Sequence, residues 1–129
     1  MKFKFKVVTP YGVKYDGEVD EIQIKTSAGE ICVLAHHIPL VSEAIISVLK
    51  IHNDNEILEC AISDGILYVK ETDTVLIVNS CERKDEIDFE RAHNSKVRAE
   101  ERLKNKQENI DIKRAEASLA RALNRLSLK

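Results

Sequence analysis

The sequence predicts an all-β sandwich of about ten short antiparallel strands, followed by an antiparallel α-helical hairpin. Short runs rich in β-branched residues fill the first part of the chain, and turn signals interrupt them roughly every eight to ten residues. The hydrophobic period changes at Asp85, and no Gly or Pro follows Gly65. We therefore place a β-sandwich domain at residues 1–84 and a helical hairpin at residues 85–129.

The strands are predicted from alternation and from turn residues. Residues 2–7 alternate Lys with Phe or Val, which predicts a half-buried strand. Gly17 is expected to separate two strands, and Asp64-Gly65 is the strongest hairpin signal in the chain. Residues 75–78 are apolar without alternation, so both faces of that strand need cover, either from the C-terminal segment or from another subunit.

The two helices are predicted from the change of period. Asp85 or Asp88 can cap a first helix that runs to about residue 106, and Asn109 or Asp111 can cap a second helix that runs to about residue 126. The polar connector at residues 105–109 is short, so the helices should pair antiparallel. Their apolar positions are Phe89, Ala92, Ala99 and Leu103, then Ile112, Ala115, Leu119, Ala122 and Leu126. Because an Ala methyl contributes far less than a Leu side chain, this hairpin can open at modest cost.

The charge distribution separates the same two parts of the chain. Residues 1–84 carry 9 Lys and Arg against 13 Asp and Glu, whereas residues 85–129 carry 11 against 9. The net charge of -2 and the interleaved acidic residues do not indicate a nucleic-acid partner. Phe89 is the only aromatic residue after Tyr68, so the basic hairpin also lacks side chains on which bases could stack.

No arrangement typical of an enzyme or a metal site occurs in the sequence. It contains no Gly-x-x-x-x-Gly-Lys loop and no nucleophile elbow, and its 4 His residues have no motif-spaced Ser or Cys partner. Cys32 is interpreted as a core residue beside two loop histidines, His36 and His37, because a structural zinc site needs four ligands. We therefore expect a protein without a catalytic site, a metal or a cofactor of its own.

The cysteines and the apolar runs indicate the cellular compartment in which the protein is expected to reside. The 3 Cys residues show no Cys-x-x-Cys spacing, which favours a reducing environment. No signal peptide and no run long enough to span a bilayer is visible. The chain is expected to be soluble where it is made.

Four segments of the chain resemble the epsilon subunit of F-type ATP synthases. Residues 26–40, TSAGEICVLAHHIPL, resemble the family's T-x-x-G-E-I/L-G-V-L-P-x-H-x-P-L segment. Residues 87–92, IDFERA, resemble its I/L-D-x-x-R-A motif at the start of the C-terminal hairpin. VTPYG at residues 8–12 and the Ala- and Arg-rich residues 114–126 also fit. The resemblance extends over essentially the whole chain, in order and in length.

The chain departs from the family pattern at three places in strands or turns. Cys32 stands where the family usually has Gly, and Ala35 where it usually has Pro. Ser63-Asp64-Gly65 replaces the usual Ser-Gly-Gly. Each departure lies in a strand or turn that can accommodate it locally. Together they affect the expected loop conformations more than the resemblance to the family.

The resemblance implies a non-catalytic subunit of a rotary motor. Such a subunit lies at the foot of the central stalk, against the gamma subunit and the c-ring, and couples proton- or sodium-driven rotation to ATP synthesis. In the bacterial type it is peripheral to the cytoplasmic face of the cell membrane. Its C-terminal helices either fold down or extend along gamma toward the alpha and beta subunits, where they inhibit ATP hydrolysis.

The resemblance also implies two sets of site residues. Glu30 and His37 match positions that face the c-ring loops and gamma. Five residues match positions where some bacterial members bind one regulatory ATP: Asp88, Arg91, Arg98, Arg121 and Arg125. Guanidinium groups bind phosphate oxygens in paired geometry, and an Asp can accept a hydrogen bond from an adenine amino group.

Two other interpretations of the hairpin stay open. The arginines can form solvated basic faces balanced by neighbouring glutamates. Alternatively, the chain can be a stand-alone regulatory ATP-binding module that uses the same hairpin without a rotor, in which case it is monomeric.

Overall fold

The computed structural model describes residues 1–105 and 112–129, which form two compact units. The first unit is Met1–Arg83 and the second is Lys84–Lys129. The first contains ten strands: β1 (Phe3–Thr9), β2 (Gly12–Val19), β3 (Glu21–Thr26), β4 (Gly29–Leu34), β5 (Leu40–Ala44), β6 (Ser47–Asn53), β7 (Glu56–Ile62), β8 (Gly65–Val69), β9 (Asp73–Val78) and β10 (Cys81–Arg83). The second contains a 3-10 turn (Lys84–Glu86), α1 (Phe89–Asn105) and α2 (Ile112–Leu126). The predicted sandwich followed by a helical hairpin is confirmed.

The strands form one hydrogen-bonded series that folds into the sandwich. Their order is β10-β7-β6-β3-β5-β8-β9-β1-β2, and β4 pairs with β3. Eight of the pairings are antiparallel, but β1 pairs with β9 in parallel, with Phe5 opposite Thr74 and Val7 opposite Leu76. The expectation of antiparallel strands throughout is therefore wrong at this one ladder. A parallel ladder needs a long crossover, and here the rest of the sandwich supplies it.

The core consists of the inward side of the strands. The alternation predicted for β1 is confirmed, because Phe5 and Val7 are buried while Lys4 is exposed. The largest fully buried side chains are Phe5, Ile22, Ile24, Leu49, Ile51, Ile62, Leu67, Leu76, Val7, Val19 and Val33. Apart from Phe5 these side chains are aliphatic, as a sequence without Trp requires.

Two hairpins of the sandwich share one hydrogen-bonded turn motif, Thr-x-x-Gly. Thr9 donates from its hydroxyl to the Gly12 carbonyl at 3.0 Å, and the Tyr11 amide donates back to that hydroxyl at 3.2 Å. Thr26 repeats the pattern with Gly29. Both glycines have positive φ, 123° and 125°, which residues with a Cβ rarely adopt. These turns fix the register of the β1–β2 and β3–β4 hairpins.

The turn predicted at Asp64-Gly65 is not a hairpin. The strand before it, β7, pairs with β6 and β10, whereas the strand after it, β8, pairs with β5 and β9. Gly65 is required for another reason, because a Cβ there would lie 1.9 Å from the Ile77 carbonyl oxygen. A two-residue hairpin of the expected kind occurs instead at Asp54-Asn55, whose φ values of 51° and 68° suit a type I′ turn.

Gly17 does not end a strand either. It lies inside β2, opposite Phe5, and the chain breaks at Asp20 instead. Glycine keeps its backbone N–H and C=O, so it can pair in the interior of a strand. The Tyr15 ring lies 3.8 Å from the place of the missing Cβ.

The helices begin and end close to the predicted positions. Asp88 caps α1, since its Oδ1 accepts from the Arg91 amide at 3.0 Å and its carbonyl accepts from the Ala92 amide. α2 ends at Leu126 as predicted. The proposed caps Asn109 and Asp111, and most of the connector, lie outside the described residues.

Small side chains make the contact between α1 and α2. The buried residues of the helices are Ala92 and Ala99 in α1 and Ala115 and Ala122 in α2. Leu103, Leu119 and Leu126 are half-buried, but Ile112, which was expected in the stripe, is 46% exposed. Neither helix, in the part of the chain that the structure describes, is long and apolar enough to cross a membrane.

Candidate functional site

The hairpin carries a polar groove that brings three of the predicted arginines together. Its volume is about 360 Å³, and Ser95, Arg98, Arg102, Ser118, Arg121 and Arg125 line it. We call this set the arginine groove. None of these lining residues is acidic or aromatic. The groove therefore presents four positive charges and two hydroxyl groups, which is a surface for an anion rather than for a metal ion.

Helical spacing explains why these side chains share one groove. Arg98 and Arg102 are four residues apart on α1, as are Arg121 and Arg125 on α2, so each pair lies on one helix face. Arg98 Nη2 donates to the Ser95 hydroxyl at 3.2 Å. Arg121 Nη2 donates to the Ser118 hydroxyl at 3.4 Å. The two serines thus hold one guanidinium on each helix toward the groove.

Arg102 and the two serines were missed in the sequence, although a signal for them exists. Residues 92–102 and 115–125 both read Ala-x-x-Ser-x-x-Arg-Ala-x-x-Arg. The two alanines of each copy are the buried residues of their helix, and the serine and arginines of each copy line the groove. A search for internal repeats would have found all six lining residues.

Asp88 and Arg91 are not among the lining residues of the arginine groove. Both are exposed at the start of α1, where the Asp88 carboxylate accepts the Arg91 amide hydrogen bond. The structure therefore gives Asp88 a local capping role. The predicted set of five divides into three residues in the groove and two at the helix start.

Glu30 and His37 lie at opposite ends of β4. Glu30 is exposed beside Gly29, opposite Lys25. His37 follows the strand in a turn closed by its amide to the Leu34 carbonyl at 3.2 Å, with His36 at φ 64°. The strand between them spans roughly 13 Å at about 3.3 Å per residue. They do not form one compact cluster.

A second surface of the sandwich is apolar and exposed. On its outer side, β8 places Ile66 opposite both Glu43 of β5 and Ile77 of β9. Val41, Ile66 and Ile77 are 66%, 42% and 46% exposed, and we call these three residues the outer apolar face. Among residues 75–78, for which cover was predicted on both faces, Ile77 is exposed. Whether another subunit supplies this cover stays a prediction.

An ion-pair cluster ties together three separate parts of the sandwich. Lys2 Nζ lies 3.4 Å from Asp20 and 2.9 Å from Asp54, and it also contacts Asn53. The Asp54 amide donates to Asp20, and this hydrogen bond lowers the pKa of the Asp20 carboxyl below its ordinary value. The hydrogen bond to Asp54 raises the pKa of Lys2. The cluster has structural partners throughout, so it does not indicate a ligand site.

Nothing in the described residues indicates a metal centre. Over residues 1–105 and 112–129, no group of three or more His, Cys, Asp or Glu side chains could hold a metal ion. Cys60 and Cys81 are buried, but Cys32 is exposed on β4, so its interpretation as a core residue is wrong. The alternation of β4 buries Val33 and turns Cys32 outward.

Two protein-family models together match residues 2–129. The beta-sandwich domain of the ATP synthase delta/epsilon chain matches residues 2–84, and the long alpha-helix domain of the same chain matches residues 85–129. The chain belongs to the ATP synthase delta/epsilon family. The arginine groove lies within the alpha-helix domain of this family, and Glu30, His37 and the outer apolar face lie within its beta-sandwich domain.

Curated members of the delta/epsilon family align with nearly all of this chain. The ATP synthase epsilon chain of Halalkalibacterium halodurans is 42% identical over 123 residues, which is 95% of this chain and 92% of that protein. The epsilon chain of Ruminococcus albus is 39% identical over 127 residues, 98% of this chain and 95% of that protein. That of Bacillus cytotoxicus is 38% identical over 126 residues, with the same two coverages.

Solved structures share the fold at lower sequence identity. A chain of the Euglena gracilis mitochondrial ATP synthase, in a structure of its OSCP, F1 and c-ring, superposes with a TM-score of 0.81 at 21% identity, covering 92% of this chain and 76% of that one. A chain of the Tetrahymena thermophila mitochondrial ATP synthase, in a structure of its central stalk and c-ring, gives 0.62 at 16% identity over 99% and 93%. At these identities the likeness concerns the fold alone.

Proposed function

We propose that this chain is the epsilon subunit of a bacterial F-type ATP synthase, a rotor subunit without an active site of its own. The observation that carries the proposal is the full-length match to both family domains, in order and without a gap between them. Relatives named ATP synthase epsilon chain support it at 34–42% identity. As part of that complex the chain is peripheral to the cytoplasmic face of the membrane and participates in ion-driven ATP synthesis.

The sandwich is the part that docks on the rotor. Its outer apolar face is a contiguous exposed group on neighbouring strands, and such groups mark interaction surfaces. We assign this face to the gamma subunit, and the exposed β3–β4 hairpin end at Glu30 to the c-ring. His37, at the other end of β4, is assigned to gamma as well.

Binding of purified gamma to the full-length chain tests the docking. Ile77→Asp should weaken binding at least tenfold, because about 1.4 kcal/mol of lost burial corresponds to that factor. Ile57→Asp is the matched control, since Ile57 is 58% exposed on β7, away from the outer apolar face. If the chain does not associate with gamma at micromolar concentrations, the rotor assignment fails.

The hairpin is proposed as a brake on ATP hydrolysis. Its Ala contacts bury little apolar surface, so the closed form can open at small cost and the helices can extend toward the alpha and beta subunits. A reconstituted enzyme that carries a chain ending at Lys84 should hydrolyse ATP faster than the enzyme with the full-length chain. Assembly is checked on the same preparation, and an unchanged hydrolysis rate in an assembled complex contradicts the brake.

A regulatory ATP is proposed as the ligand of the closed hairpin. The support is the arginine groove, which combines Arg98, Arg121 and Arg125 with Arg102 on two helices. A bound anion bridges the helices and stabilises the closed form by mass action, about 2.7 kcal/mol at a hundred times Kd. Low ATP then releases the hairpin to inhibit hydrolysis.

Calorimetric titration of the full-length chain with ATP tests this ligand. Arg121→Ala should weaken binding about tenfold or more, because a charge-assisted hydrogen bond contributes about 1.5–3 kcal/mol. Lys113→Ala is the control, an exposed cation on the same helix that does not line the groove. Arg91→Ala decides whether the start of α1 also contacts the ligand. ATP binding by a chain that fails to bind gamma would favour the stand-alone regulatory module instead.

A further inference from the structure

The apolar positions of the two helices follow the seven-residue repeat of a coiled coil. Alternate steps of three and four residues connect them along each helix, which is the spacing that lines one helix against another. The pattern has ten positions, which we call the helix seam: Phe89, Ala92, Lys96, Ala99 and Leu103 in α1, and Ile112, Ala115, Leu119, Ala122 and Leu126 in α2. Nine of the ten residues are apolar, and the exception is Lys96.

The burial of the side chains places Lys96 within the contact between α1 and α2. The four alanines of the helix seam are the buried residues of the two helices. Lys96 is half-buried, as Leu103 and Leu119 are. Lys104 and Lys113 lie on the same helices outside the helix seam, and both are exposed. Lys96 is therefore a seam residue and not part of a solvated basic face.

The repeat within the chain supplies a direct comparison for Lys96. It is the fifth residue of the first Ala-x-x-Ser-x-x-Arg-Ala-x-x-Arg copy, and Leu119 is the fifth residue of the second. The alanines on either side of this position are buried in both copies, so the two helices offer it similar surroundings. A Leu buries its whole side chain in such a place, whereas a Lys packs its alkyl stem and keeps its ammonium group in water.

The neighbouring Glu100 does not offset the charge of Lys96. The Lys96 Nζ lies 3.8 Å from Glu100 Oε1, and the two side chains are 35% and 44% exposed. An exposed ion pair at this distance contributes little to stability, and Lys before Glu is the weaker order along a helix. A single Lys in the seam of a coiled coil lowers its stability. Lys96 therefore makes the closed hairpin less stable than a Leu in its place would.

We propose that Lys96 sets how readily the hairpin opens, because it keeps one position of the helix seam incompletely buried. The alanines let the two helices approach closely, and the larger apolar residues supply most of the burial. Lys96 withholds the share that Leu119 supplies in the other copy. The inference rests on the proposed function only in treating the open hairpin as the inhibitory form, since opening itself is a property of the chain.

Hydrogen–deuterium exchange of the full-length chain without nucleotide, followed by mass spectrometry, measures the opening. Lys96→Leu should slow exchange of the α1 and α2 amides by about 3–10-fold, because burying part of a Leu side chain shifts the equilibrium by up to that factor. Lys and Leu have similar helix propensities, so propensity does not account for the change. Lys96→Met, which also removes the charge, should act in the same direction. Lys104→Leu is the matched control and should leave exchange unchanged.

Variants of Leu119 test the equivalence of the two copies. Leu119→Lys should speed exchange by at least the factor by which Lys96→Leu slows it. The double variant Lys96→Leu with Leu119→Lys only exchanges two side chains between the copies, so it should lie between the two single variants. Circular dichroism at 222 nm confirms that the helices of each variant are intact. If Lys96→Leu leaves exchange unchanged or speeds it, or if Lys104→Leu slows it equally, the role of Lys96 is overturned.

ATP hydrolysis by the reconstituted enzyme separates this inference from the proposed brake. Slower exchange and faster hydrolysis with Lys96→Leu support both. Slower exchange with unchanged hydrolysis supports the role of Lys96 and contradicts the brake. Unchanged exchange with Lys96→Leu, together with faster hydrolysis when the chain ends at Lys84, overturns the role of Lys96 and supports the brake.

Discussion

The sandwich and the hairpin differ in the size of the side chains that hold them together. The sandwich buries large aliphatic residues such as Ile22, Leu49 and Leu67, each of which contributes about 1.5–3 kcal/mol when fully buried. The buried residues of the two helices are four alanines, whose methyl groups contribute about 0.8 kcal/mol each. Each buried residue therefore contributes more to the stability of the sandwich than to that of the hairpin, and opening the hairpin is expected to cost less free energy.

Removing a large side chain from the sandwich should give the greatest effect. Leu67 is 0% exposed, and Leu67→Ala is expected to lower the free energy of unfolding by about 2–5 kcal/mol, because it leaves a cavity that the strands cannot close. Urea denaturation followed by far-ultraviolet circular dichroism measures the loss. Leu34→Ala, at a residue that is 54% exposed, should change the stability by less than about 1 kcal/mol. Equal effects would mean that the sandwich is not packed as described.

Adding one methyl group at Gly65 should have the next largest effect. A Cβ there would meet the Ile77 carbonyl at 1.9 Å, so Gly65→Ala must move the backbone of β9 and is expected to cost about 1–3 kcal/mol. Gly17→Ala is the matched control, because its nearest neighbours are at 3.8 Å, an ordinary contact distance. The same denaturation experiment ranks the two variants. If Gly17→Ala were as unstable as Gly65→Ala, the close contact between Gly65 and the β9 backbone would be contradicted.

The hairpin should respond to the loss of its cap by a smaller amount. Asp88→Ala removes the acceptor of the Arg91 amide and is expected to lower hairpin stability by about 1 kcal/mol. Thermal melting followed at 222 nm without nucleotide detects it. Asp85→Ala, at an exposed residue of the preceding 3-10 turn, should have little effect. If Asp85→Ala were the more damaging change, the helix would begin earlier than described.

The smallest expected effect is a dependence on pH at the Lys2–Asp20–Asp54 cluster. The pKa of Asp20 is lowered in the folded chain from its ordinary 3.8, so its stabilising contribution is complete above that value and is lost as the pH falls through the lower folded pKa. Asp20→Asn should therefore be less stable than the parent chain at neutral pH and equally stable in strong acid. Parallel melts of Asp20→Asn and of the parent chain across acidic pH measure this difference in stability.

Local patterns predicted most of the fold, and long-range pairing explains what they did not. Alternation located β1, and capping located α1, because both depend on residues close together in the chain. The parallel ladder of β1 with β9 and the role of Gly65 depend on strands that are distant in sequence. Asp64-Gly65 has the composition of a hairpin turn, but the strands on its two sides belong to different neighbours.

The residues of the candidate site likewise include some that the sequence predicted correctly and some that it did not. Arg98, Arg121 and Arg125 could be placed on helix faces from their spacing, and the structure brings them into one groove. Asp88 was predicted both as a cap and as a ligand, and only its capping bond is visible in the structure. Arg102 lies outside the matched family positions, and only the repeat within the chain points to it.

The parallel ladder between β1 and β9 also limits the order in which the strand pairings can form during synthesis. As the nascent chain leaves the ribosome, β1 can form its hairpin with β2 at once, but its other edge stays open until residues 73–78 have emerged. Contacts of such high sequence separation slow folding. The contacts between α1 and α2 are closer in sequence, so they can form as soon as both helices have been synthesised. During synthesis the incomplete sandwich therefore exposes the unpaired edge of β1, and pairing of that edge with a wrong strand is possible until β9 is available.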